Sequence, residues 1–247
     1  MKRAIILIII STVFLVACGT GGNNTQARGA YQGENENYDY QFTDGGLELT
    51  ANIEVGAEIT IDATIKNVSD ETIVYNGRCG VPFYISIQMA GTTAHLAVAN
   101  SDDEIACEDI FDSNDLEDFE AGETFEKTVT FTREFAFWSR KNTPLHEGDY
   151  LLQFGFSTFD SGHLYTEYPI YLKSDVEPEI LTKEEAEKLV LEHDEVNDWR
   201  NEQEENGLEA VTERALLTDE EWFFGFHSVD DKLVHRMIVA INHDSGK

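Results

Sequence analysis

Three cysteines, seven histidines and a dense run of carboxylates are the groups in this 247-residue chain with chemistry to offer. A bridge between Cys79 and Cys107 would close a loop of roughly 29 residues and contribute about 3–4 kcal/mol in the chain-entropy model. Neither cysteine has a CxxC partner or a nearby histidine, so a structural disulfide is the first reading and a pair of free structural thiols the second. The segment "SDDEIACEDIFDSNDLEDFEAGE", residues 101–123, offers the oxygens a calcium ion takes. Its spacing fails the helix–loop–helix calcium pattern. With Asp112 as first ligand and Asn114 as third, Leu116 falls where the next ligand belongs, and the turn glycine is missing. It reads as a solvated acidic loop, with a calcium site as the alternative. His193 with Asp194 and Glu195 resembles an acid–base or metal cluster, yet consecutive residues on a helix point to different faces, so His193 reads as half-buried packing. His227 and His235 would face each other if their strands pair, which keeps a transition-metal pair open as an alternative. The catalytic motifs are missing. "GFSTF" around Ser157 lacks the second glycine of a nucleophile elbow, and "HEGD" at His146 lacks the second histidine of a zinc helix. No phosphate-binding glycine loop occurs. The reading is therefore no catalytic residue, no metal, no cofactor and no enzyme.

Cys18 belongs to a different chemistry. Lys2 and Arg3 precede an apolar run from Ala4 to Ala17, roughly 14 residues long, which suits a signal peptide and falls short of the roughly 20 a spanning helix needs. The run closes on Leu15-Val16-Ala17-Cys18-Gly19, which resembles a bacterial lipobox. The resemblance implies cleavage before Cys18, diacylglycerol on its sulfur and an extracytoplasmic address on the cell membrane. Two acyl chains at about 0.8 kcal/mol per buried methylene hold a protein stably to a bilayer. Residues 1–17 are thus expected to be a signal peptide. Residues 18–39, rich in Gly, Asn, Gln and Glu, are expected to be the lipidated cysteine and a flexible tether.

The chain carries 48 acidic and 17 basic residues, a formal net charge of −31, and loses two of the basic ones with the signal. A phosphate-tracking surface needs clustered Lys and Arg, so nucleic acid is excluded as a partner. Attraction to anionic lipid headgroups is excluded on the same ground. With 41% hydrophobic residues, 15 Phe and 9 Tyr, the chain can still bury real cores.

From Phe42 to Leu172 the apolar residues alternate as strands require. "EITIDATIKN" puts Ile59, Ile61, Ala63 and Ile65 on one face. Phe83, Ile85 and Ile87 do the same, as do Phe125, Val129 and Phe131, then Tyr150, Leu152, Phe154 and Phe156, then Tyr168, Ile170 and Leu172. Seven or so such strands with Gly, Asn and Asp turns and no helical period predict an immunoglobulin-like antiparallel β-sandwich over residues 40–175. "IDATIKNVSDETIVYNG", "LEDFEAGETFEKTVTF" and "LHEGDYLLQFGF" together resemble a BsuPI-type intracellular proteinase inhibitor domain over residues 47–172. Ala121-Gly122-Glu123 and Glu147-Gly148-Asp149-Tyr150 fill that family's turn motifs, with Ala121 and Glu147 in place of its prolines. The resemblance implies protease inhibition.

Past Pro178 the period changes. Thr182 and Glu185 form a capping box, and Ala186, Leu189, Val190, His193 and Val196 recur at three and four, predicting one helix over 183–202. Strands are expected at 209–217, at 221–228 with Trp222, Phe224 and Phe226 on one face, and at 233–242. Residues 176–247 are therefore a small α+β domain, one helix on an antiparallel sheet. "LTKEEA", "EEWFFGF" and the closing "VAINHDSGK" resemble a PepSY-like domain, with Asn242 where that family has Asp and Ser245 where it has Thr. That resemblance implies a binding or inhibitory module outside the cell. The whole reads as a lipid-anchored, non-catalytic binding protein: an inhibitor or regulator of an extracellular peptidase, or a partner of another exported protein. The alternative is an acidic envelope lipoprotein that is structural or binds cations.

Overall fold

Alternation becomes geometry most plainly in β3 (Ile59–Asn67), where Ile59, Ile61, Ala63, Ile65 and Asn67 are buried and the residues between them face outward. The computed structural model describes residues 36–99, 112–159, 163–213, 215–229 and 234–244. Around β3 run β2 (Leu47–Val55), β1 (Glu36–Asp44), β8 (Thr124–Phe135) and β6 (Leu96–Val98), in the sheet order β1-β2-β3-β8-β6, with β9 (Thr143–Pro144) paired to β8. All pairings are antiparallel. A second sheet has the order β11-β10-β5, from β5 (Phe83–Met89), β10 (Gly148–Ser157) and β11 (His163–Leu172). β4 (Ile73–Asn76) and β7 (Leu116–Phe119) form a separate ribbon.

The inward faces of these sheets make one buried cluster, in which Tyr150, Leu152, Phe154 and Phe156 of β10 are fully buried. Tyr40 stacks on Phe154 at 5.7 Å, and Phe119, Phe125 and Phe156 lie within 4.3–6.2 Å of one another. Three features differ from the sequence expectation. β1 begins at Glu36, so the last residues assigned to the tether are strand, held because Tyr38 and Tyr40 pack on Tyr168 across the core. The hairpin β1–β2 was not foreseen, and eleven strands precede the helices among the described residues rather than about seven. Phe125 and Val129 lie only half-buried, while Phe131 is buried.

Asn67 explains why β3 ends where it does. Fully buried, it donates from Nδ2 to the carbonyls of Glu71 (2.8 Å) and Phe119 (2.9 Å), and its Oδ1 accepts from the Ser69 amide and hydroxyl. Its own carbonyl accepts from Gly122, whose φ of +81° only glycine adopts without strain. One side chain thus fastens the turn after β3 to the turn before β8.

The C-terminal part opens with α1 (Lys183–Leu191), capped by the expected reciprocal Thr182–Glu185 box. The single helix expected over 183–202 is two. α2 (Asp194–Glu205) starts anew because His193 takes an extended conformation, φ −79° and ψ +133°, as its N-cap. The apolar stripe survives the break, with Ala186, Val190 and Val196 buried. The helices cover a sheet of β12 (Val211–Thr212), β13 (Leu216–Leu217), β14 (Glu221–Val229) and β15 (Val234–Asn242), in which β14 is central. The strand expected at 209–217 is thus two short pieces. Trp222, Phe224 and Phe226 lie buried on the helix side, and Trp222 Nε1 donates to the Leu181 carbonyl at 2.8 Å. The fold is mainly β with antiparallel sheets. Among the described residues, no helix is long and apolar enough to cross a membrane.

Candidate functional site

The predicted site residues scatter. Cys18 and Cys107 lie outside the described residues, and so does the Cys79–Cys107 pairing; Cys79 itself is not free. Of the acidic segment, residues 101–111 are outside as well. Where it is described, several of its carboxylates are engaged: Asp112 caps a short turn through the Asn114 amide, Asp115 pairs with Arg78 at 3.1 Å, and Glu117 accepts from Tyr75 at 2.6 Å. Among the described residues no group of three or more His, Cys, Asp and Glu is placed to hold a metal. His227 and His235 do not face each other. The register is one residue off, with His227 opposite Arg236 and His235 opposite Ser228, and His227 Nδ1 stands 3.3 Å from Glu213. His193 is half-buried at the start of α2.

The structure instead concentrates its polar chemistry where the N-terminal antiparallel sheets meet the helix-and-sheet part. The turn after β8, Phe137 to Asn142, folds on itself through the Phe137 amide and Asn142 Oδ1 (3.2 Å) and presents its backbone to Asp219. The Asp219 carboxylate accepts from the amides of Trp138 (2.8 Å) and Ser139 (2.6 Å) and from the Ser139 hydroxyl. Burial alone would raise this carboxyl, but those hydrogen bonds and the Arg140 charge outweigh it and hold it below the usual range. Arg140 donates to the Asp219 carbonyl at 3.0 Å, approaches Asp244 at 3.4 Å and lies over the Phe137 ring at 5.3 Å.

Two buried histidines flank this seam. The His243 ring is fully enclosed, with the Arg140 guanidinium 3.2 Å and 3.3 Å from its two nitrogens. Burial pushes its pKa down, and Arg140 pushes the same way against the Asp219 and Thr218 carbonyls and Asp244. His146 is 1% exposed, packs edge-on to Phe135 at 5.1 Å, and has no hydrogen-bond partner at either ring nitrogen. Burial takes it down to about 4, with Glu185 opposing and His243 reinforcing. Sequence reading met His146 only as a failed zinc motif and His243 only as a residue on or after a strand, and it passed over Asp219; the one available signal was a histidine beside an alternating strand with no motif to explain it.

Above the seam opens a groove of about 540 Å³ lined by Trp138, Ser139, Thr218, Asp219, Glu220 and Glu221. Trp138 is 61% exposed, although its backbone is pinned by Asp219. A second hollow, about 520 Å³, lies on the outer face of β1–β3 around Asp39, Asn52 and Asp62. Its polar groups satisfy one another: Asn52 donates to Asp39, Thr128 to Asp62, and Thr50 bonds Thr64. Nothing there points to a ligand. Compared with known proteins, the chain matches no family model, no curated protein and no solved structure at a significant level.

Proposed function

We propose that this chain is a lipid-anchored, extracytoplasmic, non-catalytic binding protein, and that it binds and restrains an exported partner, a peptidase first among the candidates. The supporting observation is Trp138. A large aromatic side chain stands free at the rim of an acidic groove, on a backbone held from beneath by two amide hydrogen bonds to Asp219 and flanked by a third from the Ser139 hydroxyl. Rigid exposed aromatics are what interfaces use as anchors, because they bring contact area with little ordering cost. Glu220 and Glu221 beside it favour a partner that offers a basic side chain.

In this reading the sandwich is immunoglobulin-like and BsuPI-type. Supporting it, the Tyr150 hydroxyl donates to the His146 carbonyl four residues upstream at 2.7 Å, the tie of a tyrosine corner at the entry of a sandwich strand. The C-terminal part is PepSY-like, and Asn242 replaces that family's Asp conservatively: its Oδ1 accepts from the Asp244 amide at 3.0 Å, which closes the final turn. Cys18 carries the lipid, and Cys79 pairs with Cys107. The test is capture from envelope extract on the immobilised chain, with Trp138→Ala in parallel. The expected result is a stoichiometric complex with an extracellular peptidase whose activity falls on binding, lost in the variant. Recovery of no peptidase, together with calcium-dependent stabilisation, would replace this reading by the acidic, cation-binding envelope lipoprotein.

A further inference from the structure

The helix-and-sheet part is joined to the N-terminal sheets by short polar ties, and among the described residues no sheet runs through both parts. An isolated bridge sets Thr92 beside Ala215; the Thr93 amide donates to the Ala215 carbonyl at 3.0 Å and the Ala215 amide to the Gly91 carbonyl at 3.1 Å. Asp219 accepts from the Trp138 and Ser139 amides, and Arg140 reaches the Asp219 carbonyl and Asp244. Both buried histidines lie at this junction. His146, between β9 and β10, packs on Phe135 of β8, and its carbonyl accepts from the Tyr150 hydroxyl of β10. The titratable groups that act on its ring come from the other part: Glu185 of α1 and His243 beyond β15. The Glu185 carboxylate is already engaged by the Thr182 amide and hydroxyl, at 2.9 Å and 3.1 Å. His243 faces Arg140 and the Phe137 ring from the turn after β8, the Thr218 and Asp219 carbonyls between β13 and β14, and its neighbour Asp244. One half-exposed Asp244 oxygen stands 3.4 Å from Arg140 Nη1 and 3.4 Å from His243 Nδ1, so a charged His243 would have to share it with Arg140.

We propose that this junction is an acid-sensitive latch: protonation of His146 and His243 parts the helix-and-sheet part from the turn at Phe137 to Asn142, while the sheets on both sides stay folded, and so takes the Trp138 groove apart. The groove has a wall from each side, Trp138 and Ser139 on one and Thr218 to Glu221 on the other, so it exists only while the junction is closed. What the latch releases rests on the reading of that groove as a binding surface; the opening itself does not. In the closed form a charge on His243 would stand 3.2 Å from the Arg140 guanidinium, and a charge on His146 would have no acceptor at either nitrogen. Once the parts separate, both rings meet water and return to the ordinary imidazole range. Burial takes His146 down to about 4 in the closed form and lowers His243 as well. The open form therefore takes up protons first as pH falls below 6.5, so acid favours opening and neutral pH favours closure. The Asp219 carboxyl, held below its usual range, stays ionised across that window, so its own ties are not what acid removes.

Amide hydrogen exchange of the full chain, read by mass spectrometry at pH 7.5, 6.0 and 4.5 and corrected for the intrinsic rate at each pH, tests this. The reporters are the Trp138, Ser139, Thr93 and Ala215 amides, which donate across the junction. Their opening equilibrium is expected to rise between pH 7.5 and 4.5, on the order of 50-fold from His146 alone, with the amides of β3, β10 and β14 unchanged. The rise should shrink by about tenfold or more in His146→Leu and should shrink also in His243→Gln; protection of β3 and β10 at pH 7.5 shows that each variant is folded. Reporters that do not respond to acid, reporters and controls that open together, or a rise that survives intact in both variants would overturn the proposal. Neither result bears on capture of a partner at neutral pH, and a failed capture leaves the latch standing, so the two readings fail separately.

Discussion

At the scale of single residues, the seam is held by groups whose protonation state burial has chosen in advance. His146 sits neutral against Phe135 because no partner reaches either nitrogen to offset the cost of a charge. Its pKa falls from 6.5 to about 4 on folding, so the unfolded chain takes up its proton first as acid is added. The stability it permits is whole above pH 6.5, is lost as pH falls from there toward 4, and the loss levels off below. Over that window the loss approaches about 3 kcal/mol, and His243 acts in the same direction. Urea unfolding at pH 7.5 and pH 4.5 should therefore show a larger acid penalty in the natural chain than in His146→Leu, by about 2–3 kcal/mol. Equal penalties would mean the imidazole is solvated or paired in solution. Asn67 works the other way, since all its hydrogen-bonding capacity is used, and that is why a buried amide is tolerated where β3 ends.

At the scale of elements, the helices show where local pattern and tertiary demand part. The capping box at Thr182 and Glu185 was legible because it depends only on residues three apart. Thr182→Ala should cost about 1 kcal/mol in thermal or urea unfolding, with β14 still packed on α1. A change below a few tenths would show that Glu185 alone holds the first turn. The break at His193 was not legible, because the apolar spacing continues through it. The break lies in the extended backbone of His193, and Val196 beyond it is buried as Ala186 and Val190 are before it. The β1–β2 hairpin escaped notice for a related reason. β1 alternates Tyr38, Tyr40 and Phe42 with acidic and amide residues, a composition that reads as linker until Tyr168 and Phe154 supply a surface.

At the scale of the whole molecule, charge dominates. A body of formal charge −31 repels itself, and with few cations to spread, its carboxylates are relieved chiefly by screening. Raising monovalent salt from 20 to 500 mM should therefore raise the melting temperature, by about 2–4 °C if the gain approaches 1 kcal/mol. A melting temperature that is flat or falls with salt would show that ion pairs such as Arg78–Asp115 and Arg140–Asp244 outweigh the bulk repulsion. The same field biases any partner at the Trp138 groove toward basic surfaces, and calorimetry of a captured partner should show affinity falling with salt.

Much of this was decided by local sequence. The alternation of Ile59 to Ile65 and of Tyr150 to Phe156, the Trp222–Phe224–Phe226 face and the Thr182 cap each follow from side-chain periodicity within one element, which one-dimensional pattern carries in full. The charge balance is likewise a property of composition. What tertiary structure alone decided is which distant residues meet. Asp219 finds the Trp138 and Ser139 amides 80 or so positions away, His243 closes on Arg140, and a one-residue register sets His227 against Arg236 rather than His235. These contacts depend on how two layers of strands and a helical pair stack, and stacking is set by the summed burial of the core rather than by any short stretch of chain.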